Sequence, residues 1–339
     1  MLGYRLKSWK KLDAMCKVKS VDQFLKIVFE KIFEANKKKD DDPFNLFWFR
    51  GESCYYNETS LVPSAYRDLV VKNNAAIKEK KYSVTGKDHT FSYVEQNIRA
   101  DFDRRALPYI LSKNIESTAW NRYFLMQHYN VNTRLLDWTE DAIKALFFAV
   151  KIEAVKENTE DTKDADAKVW ILQPFELNHF TFNKLSDYKF QNYLIPPLSN
   201  DNDKPQNLLY EDKTIRLIEL TRRYLIMDSE EVKSKDYYPL AIYPPFLDER
   251  MAAQKACFTI FGNKCDGLRE VIKLQNSLSP KIIDSIVIDG KSKKKIRSQL
   301  RLIGIDDSSI YPDLDGLGNA LKSKYKGEYK NIEISDEKW

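Results

Sequence analysis

The alternation of apolar and polar residues along the chain predicts a mixture of helices and strands. After Ser20 and Gln23, whose spacing is that of a capping box, apolar residues recur with helical periodicity up to the basic cluster at 37–39. The run FNLFWFRG that follows an acidic turn is too short for a helix and is rich in residues that favour strands. We therefore expect an amphipathic helix and then a buried strand that ends at Arg50-Gly51.

Helical periodicity returns in the middle of the chain. Apolar residues predict one helix over 95–110, stopped or bent near Pro108, and a second helix around 120–128. The stretch from about 68 to 92 is polar and has no sustained period, which indicates a surface excursion. Both helices are interpreted as packing elements.

The clearest helix is predicted just after Thr139, which could cap its N-terminus. Glu140 and Asp141 would then stand in the first turn, where the helix dipole favours negative charge. Four apolar residues at helical spacing mark the buried face, namely Ile143, Leu146, Phe147 and Val150. The turn before this helix would present outward-facing backbone N–H groups, which commonly bind anions.

Further strands are predicted where β-branched and aromatic residues cluster. The segments are VWILQ at 169–173, LAIY at 240–243, CFTIFG at 257–262 and IIDSIVID at 282–289. Strands and helices interspersed in this way predict an α+β fold, with a mixed sheet as the core and helices around it.

Basic residues form clusters at 37–39, 78–81 and 293–297. The third cluster places Lys293 and its basic neighbours on the polar side of a predicted helix that ends at Gly304. The buried side of this helix would hold Ile296, Leu300 and Ile303. Because acidic residues are interspersed, a solvated surface is expected; convergence of the clusters on one face would instead favour a nucleic-acid partner.

Composition narrows the class of protein. A chain of 339 residues can form one large or two small domains with a real core, and a net charge of +5 implies no particular partner. The Walker A, GxGxxG, GxSxG and HExxH patterns are absent. The four cysteines form no CxxC pair and the three histidines are isolated, so no metal site is predicted and a reducing compartment fits. No segment has the apolar length of a signal peptide or membrane span, so a cytoplasmic location is expected.

The segment FWFRGES at 47–53 differs from ordinary core sequence. Arg50 emerges at the end of an apolar strand and is followed at once by Gly51, which would let a ligand approach bare backbone. A guanidinium in this position can make a forked contact with a phosphate or carboxylate. The alternative is that Arg50 pairs with a buried aspartate or carbonyl of the protein itself.

The segment QHYNVNTRLLDWTEDAIKALFFA at 127–149 is the second unusual one. It brings Arg134, Asp137, Trp138 and Thr139 into the turn before the clearest helix. The alternative is purely structural: Asp137 or Thr139 caps the helix, and Trp138 buries its ring with its N–H satisfied.

These two segments and four weaker ones resemble the successive blocks of the FRG domain family, which is named for its Phe-Arg-Gly. The weaker blocks are SLVPSAYR at 60–67, EQNIRADFDRRA at 95–106, ERMAAQKACFTIFG at 249–262 and YPDLDGL at 311–317. Because the blocks run over about 45–320, the resemblance implies an FRG domain at 41–320. A helical segment at 1–40 would pack on this core, and a tail would follow at 321–339.

The layout is also similar to that of ADP-ribosyltransferases of the Arg-Ser-Glu type, which carry an aromatic-Arg-Gly on their first core strand. This resemblance implies a split sheet and an enzyme that cleaves NAD and transfers ADP-ribose to a protein or nucleic-acid acceptor. It implies that the catalytic residues are Arg50, Thr139 and Gln254. It further implies NAD contacts from Arg50, Gly51, Arg134, Asp137, Trp138 and Thr139.

Gln254 stands where the resemblance places a catalytic glutamate. An amide can bind a ribose hydroxyl but cannot offset the positive charge that develops on the sugar. Glu249 or Asp137 could supply a carboxylate instead. If neither does, the alternative is a non-catalytic nucleotide or nucleic-acid binding module of the same fold, or a structural scaffold for protein partners. Enzymatic activity therefore stays open on the sequence alone.

Overall fold

Helices and strands are interspersed along the chain in the computed structural model. The structure describes residues 17–36, 46–54, 59–72, 82–83, 88–89, 91–151, 165–185, 207–210, 213–216, 222–225, 236–275 and 281–325. The helices are α1 (Val21–Asn36), α2 (Ser64–Lys72), α3 (Phe91–Ser112), α4 (Ala119–His128), α5 (Ala142–Ala149), α6 (Pro174–Leu185), α7 (Glu249–Ala253), α8 (Gly267–Leu274), α9 (Lys293–Leu302), α10 (Asp307–Ile310) and α11 (Leu314–Lys324). The strands are β1 (Trp48–Glu52), β2 (Tyr82–Ser83), β3 (Asp88–His89), β4 (Leu135–Thr139), β5 (Ala167–Leu172), β6 (Asn207–Tyr210), β7 (Lys213–Arg216), β8 (Leu240–Ile242), β9 (Ala256–Ile260) and β10 (Ile283–Ile288).

A six-stranded sheet with the order β10-β5-β1-β4-β9-β8 lies at the centre of the fold. All neighbouring strands in it pair antiparallel, so the sheet is antiparallel where the sequence predicted a mixed one. One isolated parallel bridge joins Val18 to Ile288 beside β10. The predicted α+β class is confirmed.

The sheet opens between its two central strands. β1 pairs with β5 through five residues, and β4 pairs with β9 through five residues. Between β1 and β4, both of which the structure describes completely, the one registered pair is Phe49–Thr139. A regular antiparallel register would next pair Arg50 with Trp138, but the strands separate there. This separation creates the opening in which the candidate site lies.

Apolar side chains cover both faces of the sheet. Phe49 and Ile171 belong to one buried cluster, which they share with residues of α1, α5 and α9. Trp48, Trp138 and Trp170 belong to another, shared with residues of α6 and α8. The two central strands are therefore held from both sides, which fixes the positions of their polar residues at the opening.

Most of the predicted elements are present. The structure confirms the strands expected around 44–51, 169–173, 240–243, 257–262 and 282–289 as β1, β5, β8, β9 and β10, and it confirms the helices that became α1 and α4. Gly304 has a φ of +82° just after α9, as expected of a helix terminator. The basic clusters at 37–39 and 78–81 lie outside the described residues.

Two expectations for the helices are wrong, and the expectation that the helix stops or bends near Pro108 is wrong about the stop. α3 continues through Pro108 to Ser112, since this proline lies on an exposed side where water can satisfy the carbonyl that loses its N–H partner. Lys293 is buried, and its ammonium group donates to the Ser53 carbonyl instead of facing solvent. Ile303 is exposed because α9 ends before it.

Among the described residues, no helix combines the length and the apolar character needed to cross a bilayer. The cytoplasmic location stays a prediction. The same residues contain no group of three or more metal-ligating side chains.

Candidate functional site

A cavity of about 670 Å³ opens where β1 and β4 separate. Its size falls within the roughly 300–1,000 Å³ that is usual for small-molecule sites. Six of the seven predicted site residues line it, namely Arg50, Gly51, Asp137, Trp138, Thr139 and Gln254. Segments that are far apart in sequence thus converge on one cavity.

The guanidinium of Arg50 spans the opening between the two strands. Its Nη1 donates to the backbone carbonyl of Asp137 at 2.8 Å and lies 3.8 Å from the Asp137 carboxylate. Its Nε lies 3.4 Å from the carboxylate of Glu52. Within the described part of the chain Nη2 has no acceptor, and the side chain keeps 14% of its surface exposed. Arg50 is therefore anchored by the protein and still has a donor for a ligand in the cavity.

Glu52 fixes the orientation of Arg50. Besides contacting Arg50, its carboxylate accepts hydrogen bonds from the Ser60 hydroxyl, from the Trp170 indole at 2.9 Å and from the Leu61 N–H at 3.2 Å. Burial alone would raise the pKa of Glu52, but the charge of Arg50 and these hydrogen bonds outweigh burial and lower it. The carboxylate therefore stays ionised beside the guanidinium.

Glu52 was not among the predicted site residues, although the sequence contains a signal for it. In a strand, residues two positions apart point to the same face. Glu52 follows Arg50 by two positions on β1, so a strand ending in FRGE places the two charges side by side.

Asp137 presents an open carboxylate at the cavity wall. Its side chain is 59% exposed, and Oδ2 accepts a hydrogen bond from the Gln127 amide at 2.9 Å. The Gln127 carbonyl oxygen in turn accepts from the Thr133 hydroxyl. The carboxylate is thus held in place by neighbours that leave it accessible to a ligand.

Thr139 and Gln254 join the end of β4 to the end of α7. The Thr139 hydroxyl donates to the Gln254 carbonyl at 2.7 Å. The Gln254 side-chain amide donates to the Ile310 carbonyl at 3.3 Å. Both residues line the cavity, and both also hold its wall together.

The prediction that Thr139 caps the following helix is wrong. Thr139 ends β4, and the N-cap of α5 is Asp141, whose Oδ1 accepts from the N–H groups of Ile143 at 3.0 Å and Lys144 at 3.2 Å. Glu140 and Asp141 precede the helix instead of standing in its first turn. Because Asp141 already occupies these N–H groups, the helix N-terminus is not an open anion site.

Gly51 lines the cavity, and its lack of a side chain also has a packing reason that the sequence did not show. A Cβ at this position would lie 2.0 Å from the Ala145 carbonyl oxygen and 2.5 Å from the Ala149 nitrogen. The missing Cβ therefore allows α5 to pack directly on β1, and the approach of a ligand to the Gly51 backbone stays a prediction.

Arg134 does not line the cavity. It is fully buried; its Nε donates to the Glu95 carboxylate at 2.9 and 3.1 Å, Nη1 donates to the Phe261 carbonyl at 2.6 Å, and Nη2 donates to the Tyr224 carbonyl. Burial works to raise the pKa of Glu95, but the positive charges of Arg134 and Arg99 lower it overall. With its donors used inside the protein, Arg134 has no place in cofactor binding.

Trp138 lines the cavity, but its ring is not available for stacking on a ligand. The indole is buried in the core and donates to the Thr259 hydroxyl at 3.1 Å. The structure agrees with the structural interpretation of this residue, in which its ring is buried and its N–H is satisfied.

Several charged residues at the cavity were not predicted. The His128 ring contacts the Asp248 carboxylate at 2.9 Å. Lys151 lies 3.2 Å from the Tyr311 hydroxyl, and the Arg250 guanidinium lies over the Tyr311 ring at 4.6 Å. Lys151 and Arg250 also line a neighbouring cavity of about 570 Å³. The sequence shows these residues one at a time, and only the fold brings them to one place.

Comparison with known proteins bears on the same region. The family model of the FRG domain matches residues 45–159. This match includes β1, β4 and α5, and hence Arg50, Asp137 and Thr139, while Gln254 and the blocks at 249–262 and 311–317 lie beyond it. Searches of the curated proteins and of the solved structures gave no significant match. The wider FRG domain boundaries of 41–320 stay a prediction.

Proposed function

We propose that the protein is an ADP-ribosyltransferase-like enzyme that cleaves NAD and transfers ADP-ribose to a protein or nucleic-acid acceptor. The observation that carries this proposal is the cavity between β1 and β4, where Arg50, Asp137 and Thr139 of the FRG segment meet. An opening in the middle of a sheet fits the split-sheet layout of those enzymes. The proposal rests on this geometry together with the resemblance of the blocks.

In the proposed complex Arg50 binds the pyrophosphate of NAD. Its Nη2 would donate to a phosphate oxygen while Nη1 and Nε keep their contacts to Asp137 and Glu52. Because the guanidinium is already held in place, forming a charge-assisted hydrogen bond to the phosphate costs little additional side-chain entropy. Glu52 acts on NAD through Arg50, as a positioning residue.

Asp137 supplies the carboxylate that Gln254 lacks. Breaking the bond between nicotinamide and ribose builds positive charge on the sugar, and a fixed negative charge nearby lowers the energy of that transition state. Asp137 is ionisable, accessible and held by Gln127. The side-chain oxygen Oε1 of Gln254 can accept from a ribose hydroxyl, so Gln254 is assigned a binding role.

The test is to incubate the purified protein with NAD and with protein, RNA and DNA acceptors, and to measure nicotinamide release and ADP-ribose labelling. Losing a charged hydrogen bond costs about 1.5–3 kcal/mol, so Arg50→Ala should weaken NAD binding roughly 10- to 100-fold. Asp137→Asn should preserve binding and lower kcat roughly 100-fold or more. Arg104→Ala is the control, since Arg104 forms an exposed pair with Asp101 on α3 and should change neither quantity.

The non-catalytic binding module is favoured by one observation. Gln254 is neutral and its amide already donates to the Ile310 carbonyl. NAD binding without nicotinamide release, weakened by Arg50→Ala, would support that module. Circular dichroism of Arg50→Ala separates both from a scaffold role, in which this variant would unfold. Absence of both NAD binding and turnover in the wild-type protein would contradict the proposed function.

A further inference from the structure

A histidine at the wall of the same cavity pairs with an aspartate, and both side chains are half-buried. His128 is the last residue of α4, and its Nε2 lies 2.9 Å from Oδ2 of Asp248. The two side chains are 13% and 16% exposed. His128 lines the cavity together with Arg50 and Asp137. Neither His128 nor Asp248 has a role in the steps assigned so far.

Asp248 is fixed so that it orients the histidine ring. Its Oδ1 accepts the N–H of Met251 at 2.8 Å, which caps α7, while Oδ2 faces His128. Burial raises the pKa of Asp248, but the hydrogen bonds from His128 and Met251 outweigh burial and lower it. An ionised aspartate with one oxygen tied to backbone holds the ring with Nε2–H as donor, which leaves Nδ1 as the basic nitrogen.

We infer that His128 is the general base of the proposed transfer, an inference that rests on the proposed function. As nicotinamide departs, an oxygen or nitrogen lone pair of the acceptor forms the new bond to the anomeric carbon of the ribose. The electron pair of the broken carbon–nitrogen bond leaves with nicotinamide. The proton of the acceptor group passes to Nδ1 of His128 and then to water.

Four charged residues lie near the His128 ring or act on its partner Asp248, and they define the electrostatic environment of the proposed base. Asp248 contacts Nε2, and Lys113, which directly follows α3, acts electrostatically on Asp248. Asp137 of β4 and Arg250 of α7 line the cavity that His128 shares.

The variant His128→Gln separates a chemical role from a structural one. The glutamine amide can occupy the place of Nε2 and donate to Asp248, but glutamine has no basic nitrogen at the place of Nδ1. We expect kcat for acceptor labelling to fall about 100- to 10,000-fold, with NAD affinity and melting temperature close to wild type. The loss of activity on the acid side of the pH–rate profile should disappear in the variant. His179→Gln, on α6 and away from the cavity lining, is the matched control and should match the wild type.

A second variant covers the case in which glutamine disturbs the fold. His128→Ala should be inactive and should recover part of its activity when imidazole is added, because free imidazole can replace a proton acceptor but not a structural contact. Wild-type kcat and an unchanged acid limb in His128→Gln, or no rescue of a folded His128→Ala, would overturn this inference while leaving NAD turnover intact. Absence of turnover in the wild type would overturn the proposed function and this inference together.

Discussion

Each residue of the tripeptide Phe49-Arg50-Gly51 has a different structural role. Phe49 is buried in the core and forms the last registered pair between β1 and β4. Arg50 then bridges the gap between the strands, and Gly51 lets the backbone of α5 approach β1. The motif therefore lies at the opening of the sheet and also places a charge inside it.

A buried ion pair makes the clearest stability prediction for a single residue. Glu95→Ala would leave the guanidinium of Arg134 buried without its counter-charge. We expect the free energy of unfolding to fall by about 3–5 kcal/mol, measured by urea denaturation followed by circular dichroism. Asp101→Ala removes an exposed partner of Arg104 and should leave the free energy of unfolding close to that of the wild type. Equal losses in the two variants would contradict this account.

Helices and strands with a regular hydrophobic periodicity could be predicted from the sequence. Elements whose burial depends on tertiary contacts could not. α1 and β10 show regular periodicity in the sequence. The residues of β4 were expected in a turn because their burial does not follow the alternation of a strand with one buried face. Leu135 and Leu136 are both buried, by clusters on opposite faces of the sheet, and Asp137 is exposed only because the sheet opens beside it. The helix that begins at Ala142 was expected, but its cap was assigned two residues too early.

The packing of α5 on β1 can be tested at Gly51. Gly51→Ala inserts a methyl group where backbone atoms of Ala145 and Ala149 already lie, so β1 and α5 must move apart. Overpacking of this kind costs about 1–3 kcal/mol or more, measured as a loss in the free energy of unfolding. In the matched control Gly318→Ala, on α11, a Cβ meets nothing within 4 Å. That variant should be neutral or stabilised by up to ~1 kcal/mol, and destabilisation of both variants alike would count against the packing argument.

At the scale of the whole molecule, the candidate site depends on pairings between remote segments. Arg50, Asp137 and Gln254 were predicted to belong together because their blocks resemble a family, and the structure does bring them to one cavity. Their distances and partners could not be predicted, since β1 and β4 are remote in the sequence and no hairpin turn sets the register between them. The same limit explains why Arg134 was assigned to the site: a buried and an exposed arginine have the same sequence context until Glu95 is placed beside one of them.

The ionised buried carboxylates predict how the whole protein responds to acid. The pKa values of Glu52 and Glu95 are both lowered in the folded state, so these groups stabilise the fold above the ordinary glutamate pKa of about 4.3. This stabilisation is lost as the pH falls below about 5 and through the lower folded values. We expect the free energy of unfolding, measured by denaturation between pH 7 and pH 3.5, to fall on the acid side. Glu52→Gln should reduce that slope, and a slope equal to that of the wild type would contradict the assignment.

The strands that pair with β1 and β4 determine which fragment of this chain can be expressed as a folded protein. β1 lies against β5, and β4 lies against β9, yet both partners follow residue 159, where the family match ends. A fragment limited to 45–159 would carry two hydrophobic strands with unpaired backbone edges, and such edges recruit other chains into aggregates. The segment that the family model matches therefore lacks the strands with which its β1 and β4 pair, and expression should retain β5, β9 and β10.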